Sequence, residues 1–142
     1  GIDDFISIPE SPNLEITDVI TMDAWIKTPG VGFRLQGIVG KMVRDSPRPG
    51  YLTTVDQNGK FRCDIIRSLP LQGTAISLTT VTDNVFHHVA CTYDGTSVSV
   101  YVDGNLESSI AYSDGIGLND EPARIGYDLS THLARIIHEH AT

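Results

Sequence analysis

Apolar and polar side chains alternate with a period of two through much of this chain. In residues 97–102, three valines fall on one side of an extended backbone, and two serines and a tyrosine fall on the other. This alternation is typical of a β-strand with one buried face. Residues 86–93 are rich in β-branched and aromatic types, and Asp94-Gly95 between the two runs favours a tight turn. The pattern predicts a β-hairpin here.

Turn signals divide the remainder of the chain into further short strands. Asn58-Gly59 favours a hairpin turn, whereas Pro70 and Gly73 indicate a loop over residues 67–74. Strands are expected at 4–8, 20–27, 36–42, 51–55, 61–66, 75–80, 86–93, 97–102, 106–111 and 123–127. Short strands separated by turns, with no alternation of strands and helices, predict an all-β sandwich of two antiparallel sheets.

Composition bounds the class of partner. The 142 residues suffice for one domain with a single core, and they include 18 acidic and 10 basic side chains. The formal net charge of −8 disfavours nucleic acid and anionic membranes as partners. No apolar run approaches the ~20 residues that a membrane-spanning helix needs.

The chain has two cysteines, Cys63 and Cys91, and each lies among apolar neighbours in an expected strand. The favoured interpretation is two buried free thiols, because a free cysteine behaves as a small apolar side chain. A disulfide is the alternative, and it is expected only if the two strands lie side by side. Cysteine usage therefore does not decide the compartment.

Four stretches of the sequence carry a family resemblance. They are the opening Gly1-Ile2-Asp3-Asp4-Phe5-Ile6 with Pro9, Ser11, Pro12 and Leu14 after it, the strand Met22-Asp23-Ala24-Trp25-Ile26, the hairpin Phe86–Gly104, and Arg124-Ile125-Gly126. In this order they resemble the motifs of the laminin G-like, concanavalin A-like jelly-roll family, with Phe86 where the family usually has tryptophan. The resemblance implies a two-sheet antiparallel jelly-roll sandwich over residues 1–128.

The family is mostly non-catalytic, and its members bind sugars or other proteins, often with calcium. The resemblance therefore implies a carbohydrate-binding or adhesive module that is extracellular or on the cell surface, with a glycan or glycoprotein as partner. Calcium takes six to eight oxygen ligands. Asp3 and Asp4 lie where relatives often place such a site, and Asp128 could replace a late acidic ligand of the family. The alternative is that Asp3 and Asp4 only cap a turn.

The two ends of the chain depart from the family pattern. The strand that relatives have ahead of the opening motif and their final strand motif are both missing, which would leave an open sheet edge. Residues 129–142 form a tail in which apolar residues at helical spacing favour a short C-terminal helix, with a strand as the alternative. We expect this tail to pack on the domain or on a second copy, and we predict a homodimer.

Catalysis is not expected. The closely spaced carboxylates of the family's glycoside-hydrolase relatives, Glu-x-Asp-x-x-Glu, do not occur, and the glutamates are scattered in loops or near the ends. The leading prediction is a non-catalytic binding module. The rival prediction is a structural or protein-interaction domain that associates with itself through an open edge and retains no ligand site.

A sugar site needs an aromatic platform with polar groups at its rim. Candidate platforms are Tyr51 and Tyr101, with Tyr112 and Tyr127 as further candidates, and candidate polar groups are Gln57, Asn58, Arg62 and Asp64. The alternative for each tyrosine is cross-strand packing. Trp25, the single tryptophan, is expected to pack in the core or at an edge, with sugar stacking as the alternative.

Overall fold

Ten β-strands account for most of the chain in the computed structural model, which describes residues 5–31 and 35–127. The strands are β1 Ile6–Ile8, β2 Ile20–Ile26, β3 Gln36–Met42, β4 Gly50–Val55, β5 Lys60–Ser68, β6 Leu71–Thr80, β7 His87–Tyr93, β8 Ser97–Val102, β9 Asn105–Ala111 and β10 Ala123–Ile125. A single turn of 3-10 helix at Pro12–Leu14 follows β1, and Ser11 caps it by accepting a hydrogen bond from the Asn13 amide. In the described residues, no helix is long and apolar enough to cross a membrane.

The strands form two antiparallel sheets that pack face to face. One sheet has six strands in the order β1-β10-β3-β4-β5-β6, and the other has four in the order β2-β7-β8-β9. The first and last described strands, β1 and β10, are neighbours in the six-stranded sheet. This arrangement confirms the predicted two-sheet jelly-roll sandwich.

Alternating side chains from both sheets fill the core between them. Val98 and Val100 are fully buried, and Phe61, Cys63 and Ile65 point inward from the opposing sheet. Each fully buried aliphatic side chain of this size contributes about 1.5–3 kcal/mol through removal of apolar surface from water. The period-two pattern of residues 97–102 thus has the buried face that the sequence predicts.

A disulfide joins Cys63 of β5 to Cys91 of β7, with the two Cα atoms 6.1 Å apart. Both residues are fully buried, as expected, but the prediction of two free thiols is wrong. The strands are not neighbours in one sheet: they belong to opposite sheets, and both cysteines point into the core. Facing positions across the sandwich bring the two Cα atoms close enough for a disulfide, although the strands are not adjacent in a sheet.

The prediction of a loop over residues 67–74 is also wrong. Strand β5 continues to Ser68, β6 begins at Leu71, and only a tight turn at residues 69–70 separates them. Gly73 lies within β6 and faces the core. A Cβ at this position would come within 2.7 Å of the Tyr112 ring, so the glycine marks close packing rather than a loop. The extension places Gln72 and Thr74 on the outer face of the six-stranded sheet.

His87, the first residue of β7, lies between two carboxylates. Its Nδ1 is 2.8 Å from Asp103 Oδ2, and its Nε2 is 3.0 Å from Asp83 Oδ1. Asp103 also accepts a hydrogen bond from the His88 amide. Burial alone would lower the pKa of His87, but hydrogen bonds and charge attraction from Asp103 and Asp83 outweigh it and raise the pKa. This cluster fixes the loop before β7 to the turn between β8 and β9.

Glu107 of β9 joins the two sheets along one side of the sandwich. Its carboxylate accepts hydrogen bonds from the backbone amides of Leu78 and Thr79 in β6, each at 2.8 Å, and from the Thr79 hydroxyl. Strands β6 and β9 are the edge strands of their sheets on that side. The contact therefore satisfies edge amides that have no strand partner.

Candidate functional site

A polar group lies on the outer face of the six-stranded sheet. Because Phe61, Cys63 and Ile65 of β5 point inward, the side chains between them point outward, which places Arg62 and Asp64 side by side. The register sets Asp64 opposite Leu52 of β4 and Thr74 of β6. The alternation of β5 therefore brings a cation, a carboxylate and a hydroxyl onto one surface.

Asp64 holds the guanidinium of Arg62 in a fixed orientation. Arg62 Nε donates to Asp64 Oδ2 at 2.8 Å, Arg62 Nη2 donates to Asp64 Oδ1 at 2.9 Å, and the Thr74 hydroxyl donates to Asp64 Oδ1 at 2.6 Å. Asp64 is buried, at 3% exposure, whereas 29% of the Arg62 side chain remains exposed. The hydrogen bond from Arg62 to Asp64 raises the pKa of the guanidinium, and burial opposes that shift. Arg62 thus presents a permanent, oriented positive charge to solvent.

This pair borders a cavity of about 210 Å³, which we call the Arg62 cavity. Five apolar and four polar residues line it: Leu35, Met42, Leu52, Ile66 and Leu69, and Arg48, Arg62, Asp64 and Gln72. Gly40 of β3 lies opposite Leu52, and a Cβ at Gly40 would lie 2.6 Å from Leu52 Cδ1. The glycine therefore leaves room for the Leu52 side chain, which lines the cavity.

Arg48 reaches the cavity from the loop between β3 and β4. Its backbone adopts a positive φ of 54°, and its amide donates to the Asp45 carbonyl in a tight turn. The Arg48 side chain makes no hydrogen bond or ion pair within the ranges that the structure describes. The cavity therefore has one guanidinium that is neutralised by Asp64 and a second that is not.

Of the six predicted ligand-binding residues, only Arg62 and Asp64 meet at this cavity. Gln57 and Asn58 are exposed in the turn between β4 and β5 and do not line it. Tyr101 is half-buried on the outer face of the other sheet. The amide of Asn58 donates to Asp56 Oδ1 at 2.8 Å, which is a turn contact.

Three of the four candidate tyrosine platforms are buried. Tyr51 cannot act as a platform because its ring lies in the core and its hydroxyl donates to the Leu14 carbonyl. Burial, with a smaller contribution from Glu10, raises the pKa of Tyr51 to about 12. Tyr112 and Tyr127 are also buried, at 7% and 9% exposure, so packing explains them.

Sequence reasoning missed Arg48, Gln72 and Thr74. Gln72 and Thr74 were assigned to a loop because Pro70 and Gly73 are turn signals. The alternation from Gln72 to Leu78, with small residues at 73, 75 and 77, could have identified an outward-facing row. Nothing local could have found Arg48, because its place at the cavity depends on how the loop folds over the sheet.

The predicted calcium ligands Asp3, Asp4 and Asp128 lie outside the described residues, and so does the predicted tail 129–142. Within 5–31 and 35–127, no group of three or more histidine, cysteine, aspartate or glutamate side chains could hold a metal ion. One buried cation is internal: the Lys41 ammonium lies 2.8 Å from Glu10 Oε2 and 3.2 Å from Asn119 Oδ1, and it also donates to the Asn119 carbonyl. Both oxygens of Asn119 therefore accept hydrogen bonds from a lysine of the same chain.

Trp25 is not in the core. It lies on the outer face of the four-stranded sheet with 50% of its surface exposed, and its ring centroid is 5.3 Å from that of His88. The expected core position is therefore wrong, whereas β2 is an edge strand of its sheet and Trp25 packs there against His88, which agrees with the edge-packing expectation. His88 Nε2 in turn lies 3.0 Å from Asp23 Oδ2.

These features define a two-sheet β-sandwich domain with a cavity on the outer face of one sheet. A model of the concanavalin A-like lectin/glucanases superfamily, a laminin G-like family, matches residues 1–135. The chain belongs to this family. No curated protein matches it in sequence.

Solved structures share the fold at low sequence identity. The sialidase CBM40 of Ruminococcus gnavus, bound to α2,3-sialyllactose, has a TM-score of 0.69 at 12% identity, covering 91% of this chain and 76% of that chain. Domains LG4-5 of the mouse laminin α1 chain have a TM-score of 0.67 at 14% identity, covering 96% and 35%. The binding domain of botulinum neurotoxin DC, in complex with rat synaptotagmin II, has a TM-score of 0.63 at 12% identity, covering 86% and 32%. These likenesses establish the fold.

Proposed function

We propose that this protein is a non-catalytic glycan-binding module and that its ligand occupies the Arg62 cavity. The observation that carries the proposal is a guanidinium oriented by Asp64 that lines one cavity together with apolar side chains and a second guanidinium. A sugar ring has apolar C–H faces and a hydroxyl periphery, so it needs both kinds of surface. The cavity offers both within a single depression.

The cavity favours an acidic sugar over a neutral one. Arg62 and Arg48 bring two positive charges to the lining, and Asp64 brings one negative charge. The Nε and Nη2 groups of Arg62 already donate to Asp64, but the Arg48 guanidinium can bind a carboxylate with two parallel hydrogen bonds, which neutral hydroxyls cannot match in strength. The volume of about 210 Å³ is below that of most drug-sized sites, so it suits a single terminal sugar. The sialyllactose bound to the CBM40 relative is a ligand of this kind.

Glycan-array binding followed by calorimetry tests the proposal. We expect sialylated or uronic-acid-bearing glycans to bind more tightly than their neutral counterparts. Arg62→Met and Arg48→Met should each weaken that binding by about tenfold or more, because a charge-assisted hydrogen bond contributes about 1.5–3 kcal/mol. Arg44→Met is the matched control, since Arg44 lies in the same loop as Arg48 but does not line the cavity. Binding that survives both cavity substitutions would contradict the assignment.

Calcium dependence belongs to the same proposal. Carboxylates are the ligands that calcium prefers, and Asp3 and Asp4 stand in the opening motif that resembles the family. Asp128 is the third proposed ligand. A thermal melt with and without calcium tests this, because an ion that binds only the folded state raises the melting temperature. Asp3→Asn with Asp4→Asn should remove any such shift.

Self-association is the second candidate function, and one observation favours it. Strand β1 is the edge of the six-stranded sheet, and it carries exposed apolar residues: Ile6 is 60% exposed and the adjacent Phe5 is 50% exposed. An exposed edge of this kind is a template for pairing with a second copy. Light scattering distinguishes the two functions: a dimer that Ile6→Lys dissociates, without glycan binding, would favour self-association.

A further inference from the structure

The outer face of the four-stranded sheet carries an exposed tryptophan, with a half-buried histidine and a half-buried tyrosine nearby. The register sets Trp25 of β2 opposite His88 of β7, and the next outward row contains Asp23, Ala90 and Tyr101. We call these five residues the Trp25 face. They lie on the opposite side of the sandwich from the Arg62 cavity, so nothing that follows rests on glycan binding at that cavity.

The indole of Trp25 is supported and at the same time open to solvent. Its ring is tilted by 54° against the His88 ring, and the contact of His88 with Asp23 holds the imidazole in place. Half of the Trp25 surface remains exposed. Leaving so much aromatic surface in water forgoes stabilisation that burial would give, which suggests that another molecule covers it.

The spacing of the face suits an elongated ligand. Trp25 and Tyr101 lie two strands apart, which corresponds to about 10 Å across the sheet. Ala90 lies between them in β7, and its small side chain leaves room above the sheet for the ligand to pass. Two rings at this separation match a short oligosaccharide rather than one sugar.

A row of hydroxyl groups follows the aromatic rows. Thr21, Thr92, Ser99 and Ser109 are aligned across the four strands, and the hydroxyls of Ser99 and Ser109 are 2.9 Å apart. Protein interfaces are enriched in aromatic residues but depleted of serine, so this row argues against a protein partner. Ser99 is buried, but Thr21 and Ser109 are exposed and Thr92 is half-buried, so these three can exchange hydrogen bonds with the hydroxyls of a sugar.

One acidic and one basic side chain lie on this side of the sheet. Asp23 brings a carboxylate beside His88, and Lys27, two residues after Trp25, brings an ammonium whose Nζ lies 5.5 Å from the Phe86 ring centroid. In a chain of net charge −8, this surface therefore presents no excess of either sign. We propose that the Trp25 face is a second glycan-binding surface, which takes a neutral oligosaccharide chain by stacking sugar rings on Trp25 and Tyr101.

The fluorescence of the single tryptophan reports this surface directly, because Trp25 is the only tryptophan of the chain. Cellohexaose, xylohexaose, laminarihexaose and chitohexaose are titrated separately while emission is recorded. We expect at least one of them to change the Trp25 emission in a saturable manner. By calorimetry, Trp25→Ala should abolish that binding, and Tyr101→Ala should weaken it by about tenfold, since stacking of a ring contributes on the order of 1–3 kcal/mol.

Two control variants separate this surface from the rest of the molecule. Phe5→Ala removes an equally exposed aromatic side chain from the other sheet and should leave the titration unchanged. Arg62→Met should also leave it unchanged, although it impairs the Arg62 cavity. Circular dichroism confirms that each variant is folded.

Three results would overturn the proposal. The first is no emission change with any of the four hexasaccharides up to millimolar concentration. The second is binding that persists in folded Trp25→Ala. The third is a dimer, measured by light scattering, that Trp25→Ala dissociates, since it would make the face a contact between two copies of the chain.

Discussion

At the scale of a single residue, His87 shows how a charge can hold two loops together. A neutral imidazole has one N–H and can donate to one carboxylate only, whereas the protonated ring donates to both Asp83 and Asp103. Hydrogen bonds with His87 in turn lower the pKa values of Asp83 and Asp103. The folded state therefore favours the fully charged cluster.

The pH dependence of stability follows from these shifts. The pKa of His87 is raised above 6.5, so its stabilising contribution is fully present below pH 6.5 and is lost as pH rises through the folded pKa. Those of Asp83 and Asp103 are lowered from 3.8, so their contributions are lost as pH falls through their folded pKa values. The cluster is most stabilising between about pH 4 and 6.5.

We expect the melting temperature of wild type to exceed that of His87→Gln most clearly near pH 6, and the difference to shrink towards pH 9. Both proteins contain the other histidines, so the contributions of those residues to the pH dependence cancel in the comparison. Asp83→Asn keeps an acceptor but removes one charge, so it should move the loss of stability to lower pH. A difference that does not vary with pH would contradict this assignment.

At the scale of strands, the closure of one side of the sandwich depends on β6 and β9. Both are edge strands, and Glu107 supplies the acceptor that two consecutive amides of β6 lack. Burial alone would raise the pKa of Glu107, but the hydrogen bonds from Thr79 and the backbone of Leu78 lower it. The carboxylate is thus bound in its charged form.

Glu107→Ala should destabilise the domain by about 1–3 kcal/mol, because it leaves these amides without their acceptor. Glu107→Gln retains an oxygen at the same distance and should cost less. Urea denaturation measures both, with Glu15→Ala as the control at an exposed loop position. Equal costs for the alanine and glutamine variants would show that side-chain volume, rather than the hydrogen bonds, decides the effect.

At the scale of the whole molecule, the disulfide is the covalent link between the two sheets. It closes a loop with a sequence separation of 28 residues. The entropy that such a loop removes from the unfolded chain corresponds to about 3.5 kcal/mol. Disulfides persist in oxidising compartments, which agrees with the extracellular or cell-surface location that the family resemblance implies.

Reduction should therefore lower the free energy of unfolding by about 3 kcal/mol. Urea titrations of the oxidised and the reduced protein measure it. A double variant, Cys63→Ala with Cys91→Ala, serves as the reference because reductant cannot change it further. If reductant lowers the free energy of unfolding of this variant as much as that of wild type, the effect does not come from the disulfide.

The fold could be predicted from sequence because its signals are local. Alternation over 97–102 and the Asn58-Gly59 turn depend on neighbours in the chain, and the structure has these strands where they were expected. The disulfide and the start of β6 could not be predicted in this way. Both depend on which residues face each other across the core, such as Gly73 against Tyr112.

The candidate site could be predicted only in part, for the same reason. Arg62 and Asp64 lie two residues apart on one strand, so their shared face follows from the period of a strand. Tyr51 and Trp25 both lie on strands, and composition cannot tell which side of a strand faces the core. Tyr51, a candidate platform, is inside, and Trp25, for which a core position was one expectation, is outside on an edge strand.

The bond between Cys63 and Cys91 also limits how far the chain can be stretched. If force is applied to the two ends, the residues between the cysteines stay in a closed loop and bear no load. With about 3.4 Å per extended residue, the unravelled chain is roughly 90 Å shorter than it would be without the bond. Strand β6 lies inside that loop, so tension cannot pull it straight. In an adhesive module under load, a reducing environment would therefore change how far the unravelled chain can extend.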